Sequence, residues 1–487
     1  MHYAPAMLPL PWFEIFIGSY VVWVIVACAS LLMSRRSPAS TLAWMFAFIA
    51  LPVVSGMYYL VFGPRRLQRR RVRYGRSRGR LAGGTSEYLS KRELAKRPHL
   101  GPDASGLAAV ARRLGQGEPT LATRVDVLDD GDDTMRALED AIRAARHHVH
   151  MEYYIWEPDR IGTRFRDLLV DARKRGVAVR VLVDALGSSS LKPRFWQPLV
   201  EAGGEVRVFN RLHLSFAGLH FANFRTHRKI AVCDGLTALL GGVNLHEPAC
   251  KEGAGLEAWR DAHVRVVGEP AWRVQQIFLE NWAYAGPFDA TEAELAHYFP
   301  LAEPVAEGAP TQVLASGPDD AHAPLYAFFL AAMSTARHRI WIETPYLIPD
   351  EPLEEALRIA ELRGVDVQVI VPKHGDSKLV TAASHTYCES LRKAGIKVFE
   401  YGPPMLHAKT MVVDTTVAIV GTANMDNRSF RLNFEVAAAF YDAGVVAHLA
   451  RRFEEDRDNS NPFPARRRPD KMQAFLESVA RLTSPVL

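Results

Sequence analysis

The sequence predicts an α/β protein in three parts: an N-terminal pair of apolar helices, then two copies of one layered α/β domain that share a single site. Three observations predict it. Two long apolar runs open the chain. Several later stretches recur in the same order. An eight-residue pattern, His-x-Lys-x-x-x-x-Asp, occurs as HRKIAVCD at 227–234 and again as HAKTMVVD at 407–414. A length of 487 residues suits two or three domains rather than one. A content of 48% hydrophobic and 23% charged residues is that of a globular chain.

The apolar runs are PWFEIFIGSYVVWVIVACASLLM (11–33), whose single acid is Glu14, and TLAWMFAFIALPVVSGMYYLVFG (41–63). Each is long enough for a hydrocarbon core of roughly 30 Å at about 1.5 Å per residue, so residues 1–64 are expected to form a transmembrane helical hairpin. A cleaved signal peptide fits less well, because no positive n-region precedes the first run and a second run follows at once. A buried core hairpin is the remaining alternative. PRRLQRRRVRYGRSRGR comes next, with nine arginines from Arg65 to Arg80 and no acid. Positive charge beside a span stays on the cytoplasmic side, which places the rest of the chain there. Arg35 and Arg36 in the short loop oppose this orientation, but nine outweigh two. The arginine run could be a nucleic-acid arm; next to a span it is expected to lie on anionic headgroups. Lys and Arg total 59 against 54 Asp and Glu, a net +5, and without the nine arginines the remainder carries −4. That is a poor footprint for duplex binding, so no nucleic-acid partner is expected. Cys28, Cys233, Cys250 and Cys388 form no CxxC pair and read as buried thiols in a reducing compartment.

The internal repeat is wider than the eight-residue pattern. AARHHVHMEYYIWEPD (144–159) matches TARHRIWIETPYLIPD (335–350), RGVAVRVLVD (175–184) matches RGVDVQVIVP (363–372), and GGEVRVFN (203–210) matches AGIKVFEY (394–401). RFRDLLVDARKRG and PLEEALRIAELRG, lying between the first two pairs, have apolar positions at helical spacing and end on glycine. The strand-like runs after them are β-branched, as in buried sheets. The expected organisation is a basic juxtamembrane linker at 65–115, a first α/β domain at 116–298, a Pro- and Ala-rich linker (FPLAEPVAEGAPT, 299–311), and a second α/β domain at 312–487.

On a strand, alternate side chains share a face, so His227 with Lys229 and His407 with Lys409 would point the same way. Asp234 opens Asp-Gly, a turn, and Asp414 opens Asp-Thr-Thr; both carboxylates are expected to fix local geometry and balance the lysine. A second strand then runs into GGVN (241–244) and GTAN (421–424), where small residues admit a close ligand and the amides of Asn244 and Asn424 can donate to an anion. Two halves facing each other would gather two histidines, two lysines and two asparagines around one point, which suits a phosphodiester. One histidine attacks phosphorus as a neutral base, and the other protonates the leaving oxygen and then deprotonates the incoming hydroxyl. Lysines and amides stabilise the phosphoryl oxygens, so no metal or cofactor is expected. HHVH (147–150) looks like a metal-ligand run but lacks Cys or Asp partners nearby and is read as structural, as are His220, His246 and His263.

With these residues the chain resembles the phospholipase D superfamily and, within it, the bacterial cardiolipin synthases. The likeness extends to NFRTHRK before the first motif, WRDAHVRVVG (259–268), GTANMDNRSFRLNFEV (421–436), RLTSPVL at the C-terminus, and the paired apolar runs joined by SPASTLAW. The resemblance implies two phospholipase D-like α/β/α sandwich domains with one shared active site, in a multi-pass protein of the cytoplasmic (inner) membrane. It implies transfer of a phosphatidyl group between two phosphatidylglycerol molecules, giving cardiolipin and glycerol, with anionic phospholipid membrane as partner. It further implies that His227 is the nucleophile, and that an acid downstream of each motif orients the histidine of the opposite half; the matching positions are Asp261 and Glu435. Thr422 stands where serine is common, and Cys233 and LHEPACKEGAGLE are less typical, which bears on acceptor contacts rather than on the chemistry. The rival readings are a phospholipase D using water as acceptor, a nuclease of the same superfamily, and an inactive membrane scaffold; the two intact motifs argue against the last.

Overall fold

The computed structural model describes residues 12–33, 38–51, 54–55, 97–211, 224–288, 290–301, 307–320, 322–465 and 470–484. The apolar hairpin and the α/β body are two separate compact units. In the first, helices Trp12–Leu32 and Pro38–Ala50 pair through Trp23 and Phe48, whose rings meet edge to face at 5.1 Å, and through Tyr20, whose hydroxyl donates to Phe48 O at 2.6 Å. Their outer faces are apolar and exposed, with Val22, Ile25, Phe46 and Ile49 among them. Among the described residues no helix is long and apolar enough to cross a membrane. The second predicted span continues past Ser55, and all of that continuation, like Arg65–Arg80, lies outside the described residues.

The α/β body repeats one set of elements. The first set is β1 (Thr120–Leu128), β2 (His148–Tyr153), β3 (Ala178–Asp184), β4 (Glu205–Phe209), β5 (Lys229–Cys233), β6 (Thr237–Gly241) and β7 (His263–Gly268). The second is β8 (Ala309–Ser316), β9 (Arg339–Glu343), β11 (Asp366–Pro372), β12 (Lys397–Tyr401), β13 (Thr410–Val413), β14 (Val417–Gly421) and β16 (Glu435–Phe440). Short additions are β10 (Leu347–Ile348), β15 (Met425–Asp426) and β17 (Ser460–Pro462). Fifteen described strands make one sheet, β17-β12-β11-β9-β13-β14-β16-β8-β1-β7-β6-β5-β2-β3-β4. Read outward from the β8–β1 seam, both sides carry equivalent strands in the same order. The seam is antiparallel, with Thr120 opposite Thr311 and Ala122 opposite Ala309.

Each set has a parallel wing, β2-β3-β4 and β9-β11-β12, crossed by helices as the β-branched runs predict. Helices Arg160–Lys174 and Glu351–Leu362 are the two stretches read from helical spacing. Asp159 and Asp350 cap their N-termini through Gly162 N and Leu353 N. Gly176 and Gly364 follow their ends at φ 88° and 83°, where a side chain would be strained. One face of the sheet holds a core common to both halves, in which Trp272, Phe278 and Trp282 join Val313, Trp341, Phe434 and Phe453. The other face carries two separate cores, one per half. Helix Pro102–Arg113 lies in the stretch read as juxtamembrane linker, yet its Leu107 and Ala111 enter the core of the second half. Gln116 Oε1 accepts from Ala315 N at 2.9 Å, which fixes the chain just after that helix to β8.

Candidate active site

The histidines sit just ahead of the strands rather than within them. β5 begins at Lys229 and β13 at Thr410. The residues before them run extended into the opposite half. Thr226 bridges Phe434, and His227 N donates to Phe434 O at 2.9 Å. Reciprocally, Leu406 bridges Arg260, and His407 N donates to Arg260 O at 2.6 Å. Next after each bridging partner comes an acid, so each imidazole meets a carboxylate from the other half. His227 Nδ1 lies 3.1 Å from both carboxylate oxygens of Glu435 and 3.1 Å from Thr422 O. His407 Nδ1 lies 2.6 Å from Asp261 Oδ2.

The two acids are supported differently. Glu435 accepts the Thr422 hydroxyl and, at 3.1 Å, the Asn433 amide. Asp261 accepts Ala262 N at 2.8 Å, and a Cβ on Gly242 would lie 1.9 Å from Asp261 Oδ1. The small residue in GGVN, read above as room for a ligand, makes room for this carboxylate. Lys229 Nζ donates to His227 O at 2.7 Å, and Lys409 Nζ donates to His407 O. Lys409 Nζ also lies 2.7 Å from His407 Nδ1 and 4.0 Å from Asp261. Nδ1 can donate to Asp261 or accept from Lys409, not both, and the carboxylate is the stronger acceptor. Tyr154 packs on His227 at 4.9 Å and Trp259 on His407 at 4.9 Å.

These groups are buried and their charges interact. Burial raises Asp261, but Lys409 and His407 outweigh it and hold the acid at about 2. Burial likewise raises Glu435, and His227 brings it below the ordinary value. Burial lowers His227 against the opposing pull of Glu435. Burial and Lys409 together push His407 to about 4. Burial lowers Lys409 to about 8, and burial with Lys409 lowers Lys229 well below its ordinary range. Each lysine also acts on the histidine of the other half. The substrate-free site thus holds ionised acids, neutral imidazoles and two lysines whose charge burial disfavours, and an incoming anion would favour that charge.

Asp234 and Asp414, grouped with the catalytic set by their motif, clamp backbone. Asp234 accepts from the amides of Arg146, His147 and His148 at 2.8–2.9 Å, and Asp414 from those of Arg337, His338 and Arg339 at 2.8 Å. Both turn at φ 52°. The carboxylates acting on Lys229 are instead Glu435, Asp261 and Asp184, which corrects the reading that the motif aspartate balances it. Asn244 Oδ1 accepts from Ile155 N at 3.3 Å; Asn424 Nδ2 donates to Asp426 at 3.4 Å, and its buried Oδ1 has no partner among the described residues. His148 and His150 are buried against Gln275, within 3.0 and 2.9 Å, and the described residues hold no group of three potential metal ligands. His246 packs on Trp259 at 5.1 Å, His263 is buried at the start of β7, and His220 lies outside the described residues. The four cysteines are free, three of them buried.

Sequence reasoning missed Glu152 and Glu343, both buried. Glu152 accepts the hydroxyl of Thr226, next to His227, and the Asn281 amide at 2.5 Å. Glu343 accepts Thr410, next to Lys409, at 2.7 Å. Burial and Asp456 push Glu343 up to about 8. Their signal was present: both stand at the same place in the repeated segments, HMEYY and WIETP. Arg260 pairs with Asp456 at 2.6 Å and so anchors the segment ahead of β7 that carries Asp261.

Fold and site together define a phosphodiester-processing enzyme whose two halves arm each other's histidines. A family model described as "Cardiolipin synthase, PLD-like domain" matches residues 138–276 and 329–457, and one described as "Phospholipase_D-nuclease N-terminal" matches 21–64. Cardiolipin synthase 1 of Bacillus cereus is 36% identical over 485 residues, covering 97% of this chain and 94% of that protein. Cardiolipin synthase of Geobacillus sp. (strain WCH70) is 36% identical over 465 residues, covering 93% and 90%. Among solved structures, phosphatidylserine synthase of Haemophilus influenzae Rd KW20 shares the fold at TM-score 0.60 with 14% identity, over 78% of this chain and 100% of that one. The chain belongs to the cardiolipin synthase family of phospholipase D-like phosphatidyltransferases.

Proposed function

We propose that the chain joins two phosphatidylglycerol molecules into cardiolipin, releasing glycerol through a phosphohistidine intermediate. The observation that carries this reading is the reciprocal pairing of His227 with Glu435 and His407 with Asp261. With Nδ1 engaged, each imidazole keeps Nε2 for chemistry. His227 Nε2 attacks phosphorus while the bond to the leaving glycerol oxygen breaks, and that oxygen takes a proton from His407. The phosphodiester anion raises the buried His407, so substrate entry itself favours the protonated acid. The hydroxyl of a second phosphatidylglycerol then loses its proton to His407 and attacks phosphorus, and the P–N bond breaks. Lys229, Lys409, Asn244 and Asn424 stabilise the phosphoryl oxygens.

In this reading the two apolar runs form the membrane hairpin of residues 1–64, and Arg65–Arg80 rest on anionic headgroups at the cytoplasmic face. The stretch from 65 to 101 links the hairpin to the two α/β domains, the second of which also takes in helix Pro102–Arg113 and begins with β8 at Ala309. The N-terminal family match at 21–64 and the apolar outer faces of the helix pair support it. Purified protein given labelled phosphatidylglycerol should yield cardiolipin and glycerol in equal amounts. Phosphatidic acid as the main labelled product would replace this reading with lipid hydrolysis.

A further inference from the structure

The C-terminal helix Lys471–Leu482 has two unlike sides. Inward, Ala480 joins Ile348, Ala383 and Tyr387 in a small core, and Tyr387 donates its hydroxyl to Ser484 Oγ at 3.0 Å. Opposite, Met472, Phe475, Leu476, Val479 and Leu482 are 42–80% exposed. At about 100° per residue they occupy one arc of about 120°. A surface helix normally turns polar residues to that side, and a contiguous apolar stripe marks an interaction face.

The stripe lies on elements that adjoin the cleft. Asn427 Nδ2 donates to Ser484 O at 3.3 Å, and Asn427 starts the short helix that follows Asn424 and Asp426. The supporting helix Lys378–Lys393 begins two residues after Asp376, which accepts the Tyr346 hydroxyl at 2.7 Å and whose charge acts on Lys409. The sequence leading into the helix is basic. Between positions 464 and 484 the sequence carries Arg466, Arg467, Arg468, Lys471 and Arg481 against Asp470 and Glu477. Asp470 is used as the helix cap, and Glu477 is buried. An apolar arc on a helix that follows three consecutive arginines in sequence fits the boundary between acyl chains and anionic headgroups.

We propose that this stripe is a lipid-docking face: the C-terminal helix lies in the headgroup plane of an anionic bilayer and holds the cleft at the lipid surface. The inference rests on the lipid substrate proposed above. The test uses the full chain with its native cysteines replaced and one cysteine at Phe475 carrying an environment-sensitive dye. The protein is reconstituted into vesicles of phosphatidylglycerol and phosphatidylcholine. Blue-shifted emission, quenched by brominated lipid and shielded from iodide, is expected. Red emission quenched by iodide would overturn the proposal. So would shielded emission that ignores brominated lipid, since protein would then cover the face: a second copy if crosslinks form between chains, the N-terminal unit if they do not. In activity, Phe475→Ser with Leu476→Ser should cut turnover of vesicle phosphatidylglycerol about tenfold and leave a short-chain, water-soluble analogue unaffected. Equal losses on both substrates would count against docking. A wild-type chain that turns over neither would remove the lipid-transfer reading, while the quenching result would still decide where the helix lies.

Discussion

Replacing Asp261 by asparagine separates the two chemical steps. The side chain keeps its shape and can still accept from His407 Nδ1, 2.6 Å away, but it loses its charge. A hydrogen bond to a charged group is worth about 1.5–3 kcal/mol, which translates to about 10- to 150-fold in the steps that need His407 protonated. Lys409, 4.0 Å away, also loses the carboxylate that opposes its burial, so its value of about 8 should fall and the alkaline limb of the pH profile should move to lower pH. With phosphatidylglycerol both steps use His407, and turnover should fall by the full factor. With bis(p-nitrophenyl) phosphate the leaving group needs no proton. Asp261→Asn should therefore release one equivalent of p-nitrophenolate at near-normal rate and stall, leaving an acid-labile phosphoryl adduct on His227. Glu435→Gln should do the reverse and slow the burst itself. Rapid-quench kinetics with peptide mass spectrometry reads both. A burst slowed by Asp261→Asn as much as lipid transfer is slowed, or an adduct on His407, would refute the division of roles.

Gly242→Ala places a methyl 1.9 Å from Asp261 Oδ1, so it should cost a similar factor in turnover with an unchanged circular dichroism spectrum; full activity would show that Asp261 can move without consequence. Burial holds His148, His246 and His407 at about 4 and His263 at about 3, below the ordinary 6.5. The unfolded chain therefore takes up protons first, and stability that is complete above pH 6.5 should be lost as pH falls toward those values. Each such group costs about 2 kcal/mol by pH 5, and His263→Asn should flatten the fall of Tm with pH by one proton's worth. In a chain lacking its native cysteines, Ser37→Cys should react with an impermeant thiol reagent outside intact cells and Ser105→Cys only after lysis; the opposite pattern would invert the proposed topology.

The parts of this molecule written in local pattern were legible beforehand. The repeat, the crossover helices ending at Gly176 and Gly364, and the paired His-Lys sets all follow from spacing along the chain. What spacing cannot express is which half a segment joins. The pull of 226–228 toward Phe434 rather than toward β6 is a long-range choice, and it moves the histidine off the strand where alternation had placed it. Gly242 looked like room for a ligand because the sequence does not say that Asp261 fills the space. Helix Pro102–Arg113 escaped for a different reason. Its inward positions Ala104, Leu107, Ala108 and Ala111 have helical spacing, but three are alanines and give little hydrophobic contrast. The acids of the site became visible only through the family resemblance, because nothing in WRD or NFE marks a buried carboxylate.

The exchange of bridging segments between halves also governs when the protein becomes reactive. During synthesis the first half emerges before the second exists. At that stage His227 has no Glu435 to orient it, and Asp261 has no histidine to serve. Reactivity arrives only when residues 406 and 434 dock, that is, near completion of the chain. A product that lacks the second half is therefore disarmed at both histidines together. The duplicated architecture works as an interlock: neither histidine has its carboxylate until both halves are in place.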